Sequence, residues 1–577
     1  AAAARGLLAR PASSMAAPEG QPAGPDGGSG RLEAGEAVRA FYHMNSHPLG
    51  YRYVHLMESF AEEAKVGAAA ADDAAKEPVD ITKLPVVGLS TGWLPATVAE
   101  AYEPGEAAGQ GPGDVLVLFH GRFADPFHPD PEPVVGLYWR VPRALVRPMG
   151  APQPGLELSL LVVRWWEYYF EKKPAARSHN VIHEGLLLDA LEEQCSPHQA
   201  FGREGRYEVY TVFARRSADL APLGAGLAAA MKGPRRAGLY FLWPTQRRHV
   251  EQRSAGCVGE AELLGLMERM EAAGVRTCWP HALPLYRELA GKRWAPRLGA
   301  LAPELGLPPT VELSAAAWAA GAEAAAAAAL DELRRLRAEV YGGLPLPADE
   351  YRGVAKLGFS WQGEAVQPFI GADGLRKALS KLFSGAAPSS TCLVQEKVEG
   401  VRCELRVVCL RDHAQGPDAV ATELVRMKLH PPRHPEQDDT FQLTSWETMT
   451  FSEAAELAFG GDTAALEAAE AEVRRLAERW LRWLRERGLG EPHVCRLDFL
   501  AAMRGGGPQR SVAVHTVEIT ECGASLCGLA PAARTAAVLN ECLCQGGSWP
   551  QGFPQQLPTL RRPEPRPAPR PLPGPWP

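Results

Sequence analysis

The chain has 577 residues, of which 46% are hydrophobic and 22% charged, with a formal net charge of −7. That length points to several domains and that composition to a globular protein. The acidic balance excludes a nucleic-acid binder that works through overall charge, and no apolar run reaches membrane-spanning length, so neither nucleic acid nor membrane is an expected partner. The eleven cysteines are scattered and include no CxxC pair. Cys392, Cys403, Cys409 and Cys495 fall inside expected strands, which reads as reduced, buried thiols in an intracellular, cytoplasmic setting.

In chain order, residues 1–35 are rich in Ala, Gly, Pro and Ser and are expected to be a disordered extension. The opening AAAARGLLARPASS carries arginine and serine and no acid, which resembles an organellar (plastid or mitochondrial) transit peptide; a compositionally biased extension before Met15 is the favoured alternative. Residues 36–80 read as a helical segment and linker, helical in part from Val38 to Ala64 with a break at Pro48-Leu-Gly50. Residues 81–150 change to short strands and turns: Gly92-Trp93, then Asp114 to Phe119, then Val134 to Trp139, closing on Val146-Arg-Pro148. This pattern is similar to small SH3-like barrels of the Tudor or Agenet kind, which implies a small β-barrel-like domain with a peptide or protein partner bound in an aromatic cage. Trp93, Phe119, Tyr138 and Trp139 are the candidate aromatics, with a role as core the favoured reading.

Residues 156–234 are an α+β segment with no assigned role. Strands are predicted at Leu158 to Trp166 and Tyr207 to Ala214 and a helix at Val181 to Gln194. Residues 235–300 have a β-α-β texture: a strand from Gly238 to Trp243, an amphipathic helix from Gly259 to Ala273, and a strand from Val275 to Trp279. Residues 301–545 form a larger α/β (α+β) domain. Its helices are an alanine-rich one from Ala315 to Val340 stopped by Gly342-Gly343, one from Asp373 to Phe383, and a long one from Ala464 to Arg487, capped by Asp462 or Thr463 and ended by Gly488. Residues 546–577 are a proline-rich tail, extended and disordered.

The centre of the larger domain is Thr391 to Leu410, two strands joined by a tight turn at Glu399-Gly400. The first ends on Glu396-Lys397-Val398. The second sets Glu404 and Arg406 on one face and Leu405 and Val407 on the other. A strand end with a carboxylate, an ammonium and free backbone groups can read a planar heterocycle, and Glu404 one strand away can reach a ribose. Taken alone, an amphipathic hairpin with solvated charges explains the stretch equally well. Upstream, Lys356 ends a strand, and Gly358, Ser360 and Gly363 make a loop whose backbone can approach phosphate oxygens. Downstream, two antiparallel strands carrying Arg496-Leu-Asp498 and Glu518-Ile-Thr520 place Asp498 beside Glu518, hard oxygen ligands suited to Mg²⁺ held by a nucleotide's phosphates.

The ordered set Lys356, Glu396-Lys397-Val398, Glu404, Arg496-x-Asp498 and Glu518-x-Thr520 resembles an ATP-grasp domain, as in glutathione synthetase and D-alanine–D-alanine ligase. The resemblance covers roughly 238–543 and makes 235–300 the domain that precedes the grasp. It implies ATP and Mg²⁺ as cofactors, with Lys292, Lys356 and Lys428 as nucleotide lysines, Glu396, Lys397 and Val398 at the adenine hinge, and Glu404 on the ribose. It further implies Arg496 steadying a tetrahedral intermediate and Asp498, Glu518 and Thr520 on the metal. The family's metal motif ends Glu-x-Asn, and this chain has threonine in place of the asparagine, with Glu521 beside it. The implied reaction joins a small-molecule carboxylate to an amine through an acyl phosphate. A nucleotide-binding scaffold with a degenerate grasp and a grasp-fold kinase are the alternatives.

Overall fold

The computed structural model describes residues 31–43, 54–56, 86–102, 114–124, 134–151, 155–165, 207–214, 217–246, 257–359, 365–411, 420–429, 447–489, 492–505 and 511–520. Of the extension expected at 1–35, residues 1–30 lie outside the described residues, as do the helix at 181–194, the loop residues Ser360 and Gly363, Glu521 and the proline-rich tail; the last part of that extension is ordered, with Leu32 buried and bridged to Tyr102. Contacts divide the chain into two units, one of residues 1–42, 93–121 and 135–153, the other of 43–92, 122–134 and 154–577.

The first unit holds most of β1 (Ala37–His43), residues 93–98 of β2 (Val86–Val98), most of β3 (Asp114–Ala124) and β4 (Val134–Pro142), and β5 (Val146–Pro148), hydrogen-bonded in the order β5-β1-β2-β3-β4; residues 86–92 of β2 belong to the second unit. The stretch expected to be partly helical from Val38 onward therefore begins as a strand. Val38, Ala40 and Tyr42 are buried, and the β1 backbone pairs with β5 from Val38 opposite Pro148 to Ala40 opposite Val146. Pairing on both sides, with a buried face, overrides local propensity. Phe119 is core, packed edge-on against Tyr42 at 5.4 Å. Trp93 packs on Phe41 and carries the Arg147 guanidinium over its ring at 5.7 Å, while Tyr138 is 64% exposed.

The second unit opens with a parallel sheet of β6 (Leu158–Trp165), β7 (Tyr207–Ala214), β8 (Arg235–Tyr240) and β9 (Arg276–Trp279), ordered β9-β8-β6-β7. Residues 86–91 pair antiparallel with β7. Segments 156–234 and 235–300 thus share one sheet instead of forming separate domains, because strands of a parallel sheet are necessarily distant in sequence. Helix α1 (Glu260–Ala272) buries Leu263, Leu266, Met267 and Met270 in the core of this sheet.

Two antiparallel sheets follow. The smaller is built from β10 (Thr310–Ser314), β11 (Arg352–Leu357), β12 (Val366–Ile370) and β13 (Thr391–Glu396), in the order β10-β13-β11-β12. Helices α2 (Ala322–Glu339) and α3 (Gly371–Phe383) share its core. The alanine-rich helix is interrupted at Gly321, so Ala315–Ala320 is a separate short helix capped by Ser314. The larger sheet is built from β14 (Val401–Arg411), β15 (Val420–Met427), β16 (Val494–Arg504) and β17 (Ser511–Ile519), with β14 and β16 central. Helices α4 (Phe451–Phe459) and α5 (Thr463–Glu486) cover one face, where Leu405, Val407, Leu497 and Phe499 meet Val473, Leu476 and Trp480.

The central stretch at 391–410 differs from its expected form. Both strands exist, but β13 belongs to the smaller sheet and β14 to the larger, so residues 397–400 are a crossover and not a hairpin turn. Gly400 explains the geometry. Its φ is +70°, its carbonyl accepts from the Met503 N–H at 2.9 Å, and a Cβ there would run into the Met503 carbonyl.

Candidate active site

The larger sheet turns a hydrophobic face to its helices, and alternation leaves Glu404, Arg406, Arg496 and Asp498 on the other. Register brings them together: Arg406 lies opposite Asp498 across β14 and β16, and Asp498 lies opposite Glu518 across β16 and β17. The side-by-side carboxylates expected from the sequence are therefore present. They do not stand alone. Arg496 holds Asp498 bidentately, Nε to Oδ1 and Nη2 to Oδ2, both at 2.7 Å. Arg406 donates to Glu404 at 2.7 Å and lies 3.8 Å from Asp498. Lys292 reaches Glu518 with Nζ to Oε2 at 3.3 Å.

Three carboxylates and three basic side chains thus form one network, with Asp498 and Lys292 each only 3% exposed. Burial alone would push the Asp498 carboxyl up; Arg496, then Arg406 and Lys292, outweigh it and hold the group below the usual carboxylate range. Burial wins at Glu404 and pushes that carboxyl up against the pull of Arg406.

Lys292 closes a short 3₁₀ turn, Ala290–Lys292, with φ at +57°, the one non-glycine residue with positive φ among the described residues. Gly358 lies against this turn, so that a Cβ on it would meet the Gly291 carbonyl oxygen at 2.5 Å. Next in sequence, Arg293 pairs with Glu260 of α1 at 3.0 Å and reaches the Thr391 hydroxyl at 3.4 Å. Three successive residues thus touch α1, the smaller sheet and the larger sheet.

On the smaller sheet, Lys356 is buried and donates to Gln395 Oε1 at 3.3 Å. The Gln395 amide donates in turn to the Thr310 hydroxyl at 2.8 Å, and that hydroxyl to the Pro308 carbonyl at 2.7 Å. Glu396 points the other way, toward the helices: its carboxylate is paired with Arg337 of α2 and accepts from the Tyr351 hydroxyl at 2.8 Å. A role for Glu396 in holding a base therefore falls to its backbone. Lys397 and Val398 are half-buried at the start of the crossover, with the Lys397 N–H donating to the Arg352 carbonyl at 3.0 Å. The Lys428 side chain is 42% exposed and paired with Glu447 at 3.1 Å; among the described residues no bond joins it to the network.

Thr520 is pinned at the end of β17. Its N–H and its hydroxyl both donate to the Arg496 carbonyl at 3.0 Å, and its own carbonyl accepts from His281 Nε2 at 2.9 Å. His281 was not singled out by its sequence, where it merely follows the strand β9. It is fully buried, and burial lowers its pKa to about 4 despite the Thr520 carbonyl. Gln395 and Arg406 are likewise tied into the site without any motif marking them; their positions on the polar face of an alternating strand are the only signal.

Asp498 and Glu518, adjacent and hard, suit a magnesium ion that also takes phosphate oxygens. No group of three or more His, Cys, Asp or Glu side chains converges on a metal position among the described residues. The Thr520 hydroxyl is already committed as a donor. The residues therefore fit a cation held by two carboxylates and its nucleotide, with Lys292 and Arg496 as the competing positive charges.

No family model matches this chain and no curated protein does. Among solved structures it is similar to D-cycloserine synthetase, at 17% identity over 67% of this chain and 99% of that one, with a TM-score of 0.37. It is also similar to D-alanyl-alanine synthetase A from Vibrio cholerae, at 11% identity over 68% and 98% with a TM-score of 0.37. A third is the RimK-domain ATP-grasp protein from Sphaerobacter thermophilus, at 17% over 67% and 98% with a TM-score of 0.32. Distant in sequence from all of these, the chain is a mixed α/β protein.

Proposed function

We propose that the second unit binds Mg-ATP and acts as a ligase that activates a carboxylate for attack by an amine. The observation that supports this best is the buried Lys292 paired with Glu518 on a polar sheet face where Asp498 stands beside it, with a second buried lysine, Lys356, on the smaller sheet. Asp498 and Glu518 would hold Mg²⁺, which when bound would offset the charge of the phosphates. Lys356, oriented by Gln395, would place an ammonium against the charge that spreads over a transferring phosphoryl group. The backbone at 396–398 would read the base, and Glu404, whose carboxyl is pushed up by burial, would accept or donate at the ribose according to its protonation. Arg496 would hold a developing oxyanion only by sharing the guanidinium that Asp498 now takes.

The deciding experiment is a thermal-shift series with ATP, ADP and GTP, each with and without Mg²⁺. Adenine nucleotide at about a hundred times its dissociation constant should add about 2.7 kcal/mol of stability. Equal shifts with GTP, or none with any nucleotide, overturn the reading. The engagement of Arg496 by Asp498 favours a second reading, nucleotide binding without turnover. Release of phosphate on addition of candidate amines separates the two.

A further inference from the structure

We propose that Lys292 is a resident counter-ion of the Asp498–Glu518 pair, one that competes with a divalent cation for Glu518. The inference rests on the assignment of those two carboxylates as the metal ligands.

Four observations carry it. Lys292 is buried with its ammonium 3.3 Å from Glu518 Oε2, on the strand beside Asp498. Its backbone sits at φ +57°, where a residue with a Cβ is disfavoured and glycine or asparagine would rest more easily. A strained position held by its surroundings is a mark of functional sites, and here the strain delivers the ammonium to the carboxylates. The turn cannot relax freely, because Gly358 lies on Gly291 on one side and Arg293 is tied to Glu260 and Thr391 on the other. Finally, Lys292 is the basic side chain of this network that is paired with Glu518, while Arg496 holds Asp498 and Arg406 holds Glu404, so a dication entering at Glu518 meets the Lys292 ammonium there. Lys292 is the charge that yields.

Removing a lysine from a nucleotide site would ordinarily be expected to weaken it. The counter-ion role predicts the opposite for metal alone. Mn²⁺ binding to the purified full chain, without nucleotide, is measured by electron paramagnetic resonance. An opposite charge this close typically moves a carboxylate equilibrium by about tenfold or more, so Lys292→Met should bind Mn²⁺ at least about tenfold more tightly than the unaltered chain. Lys292→Asn, which tolerates the left-handed backbone, provides the same comparison should the methionine variant fail to fold. Lys292→Arg, keeping the charge, should bind like the unaltered chain, and Glu518→Gln added to Lys292→Asn should abolish the gain. Equal Mn²⁺ affinity in Lys292→Asn and the unaltered chain overturns the counter-ion role while leaving the metal site standing. No Mn²⁺ binding by either overturns both. A gain that survives Glu518→Gln places the competing ligand elsewhere and overturns the role of Lys292 at this pair.

Discussion

His281 gives the structure a pH dependence that can be read quantitatively. Its imidazole is fully buried and donates through Nε2 to the Thr520 carbonyl, and burial lowers its pKa from the ordinary 6.5 to about 4. The folded state therefore holds the neutral form while the unfolded chain takes up a proton as pH falls through 6.5. Stability is fully present above that point and is lost as pH falls toward 4. The difference in proton uptake removes about 2 kcal/mol at pH 5 and about 3 kcal/mol at pH 4 from this one residue. His281→Gln keeps an N–H donor in reach of Thr520 but does not titrate. Urea unfolding of the two proteins at intervals from pH 7.5 to 4 should show curves that converge at low pH, the variant losing about 2 kcal/mol less between pH 7 and pH 5. Because Asp498, Glu404 and His515 titrate in both proteins, they cancel in the difference. Parallel curves, with the same loss in both, would refute the buried neutral imidazole. His515, whose pKa burial and Arg504 also lower to about 4, serves as the control, since His515→Gln should remove a separate part of the same limb.

Asp498→Asn leaves Arg496 and Arg406 buried without their shared carboxylate and should cost about 3–5 kcal/mol in chemical unfolding; a loss under about 1 kcal/mol would mean the network is solvated. Gly400→Ala puts a side chain against the Met503 carbonyl at φ +70° and should destabilise by more than about 1 kcal/mol, a neutral result being incompatible with the crossover as described. Gln395→Ala removes the Gln395 acceptor from the Lys356 ammonium and should weaken ADP binding by about tenfold in calorimetry, with Thr310→Val giving part of that loss; unchanged affinity in both would detach the relay from the nucleotide.

Most individual strands and helices were legible in the sequence because their causes are local. Alternation of Glu404 and Arg406 with Leu405 and Val407 marks a strand with one buried face, and Asp462 followed by a 3.6-period apolar stripe marks α5. The adjacency of Asp498 and Glu518 was also local in origin. Two antiparallel neighbours separated by only six residues of sequence have little freedom of register, since a slip of one residue would send Leu497 and Phe499 out of the core. Partner choice was not local. A four-residue link between β13 and β14 is compatible with a hairpin, and only the docking of Gly400 on β16 together with the pairing of β13 to β10 and β11 sends the two strands to different sheets. The fate of the charges was decided at the same level. Sequence pattern puts Arg496, Asp498 and Glu404 on a polar face, but whether they meet solvent, a ligand or one another depends on what else arrives there. Lys292 and His281 come from segments that precede β10, and burial makes their pairing with Glu518 and Thr520 obligatory, because a charge or donor taken out of water must find a partner.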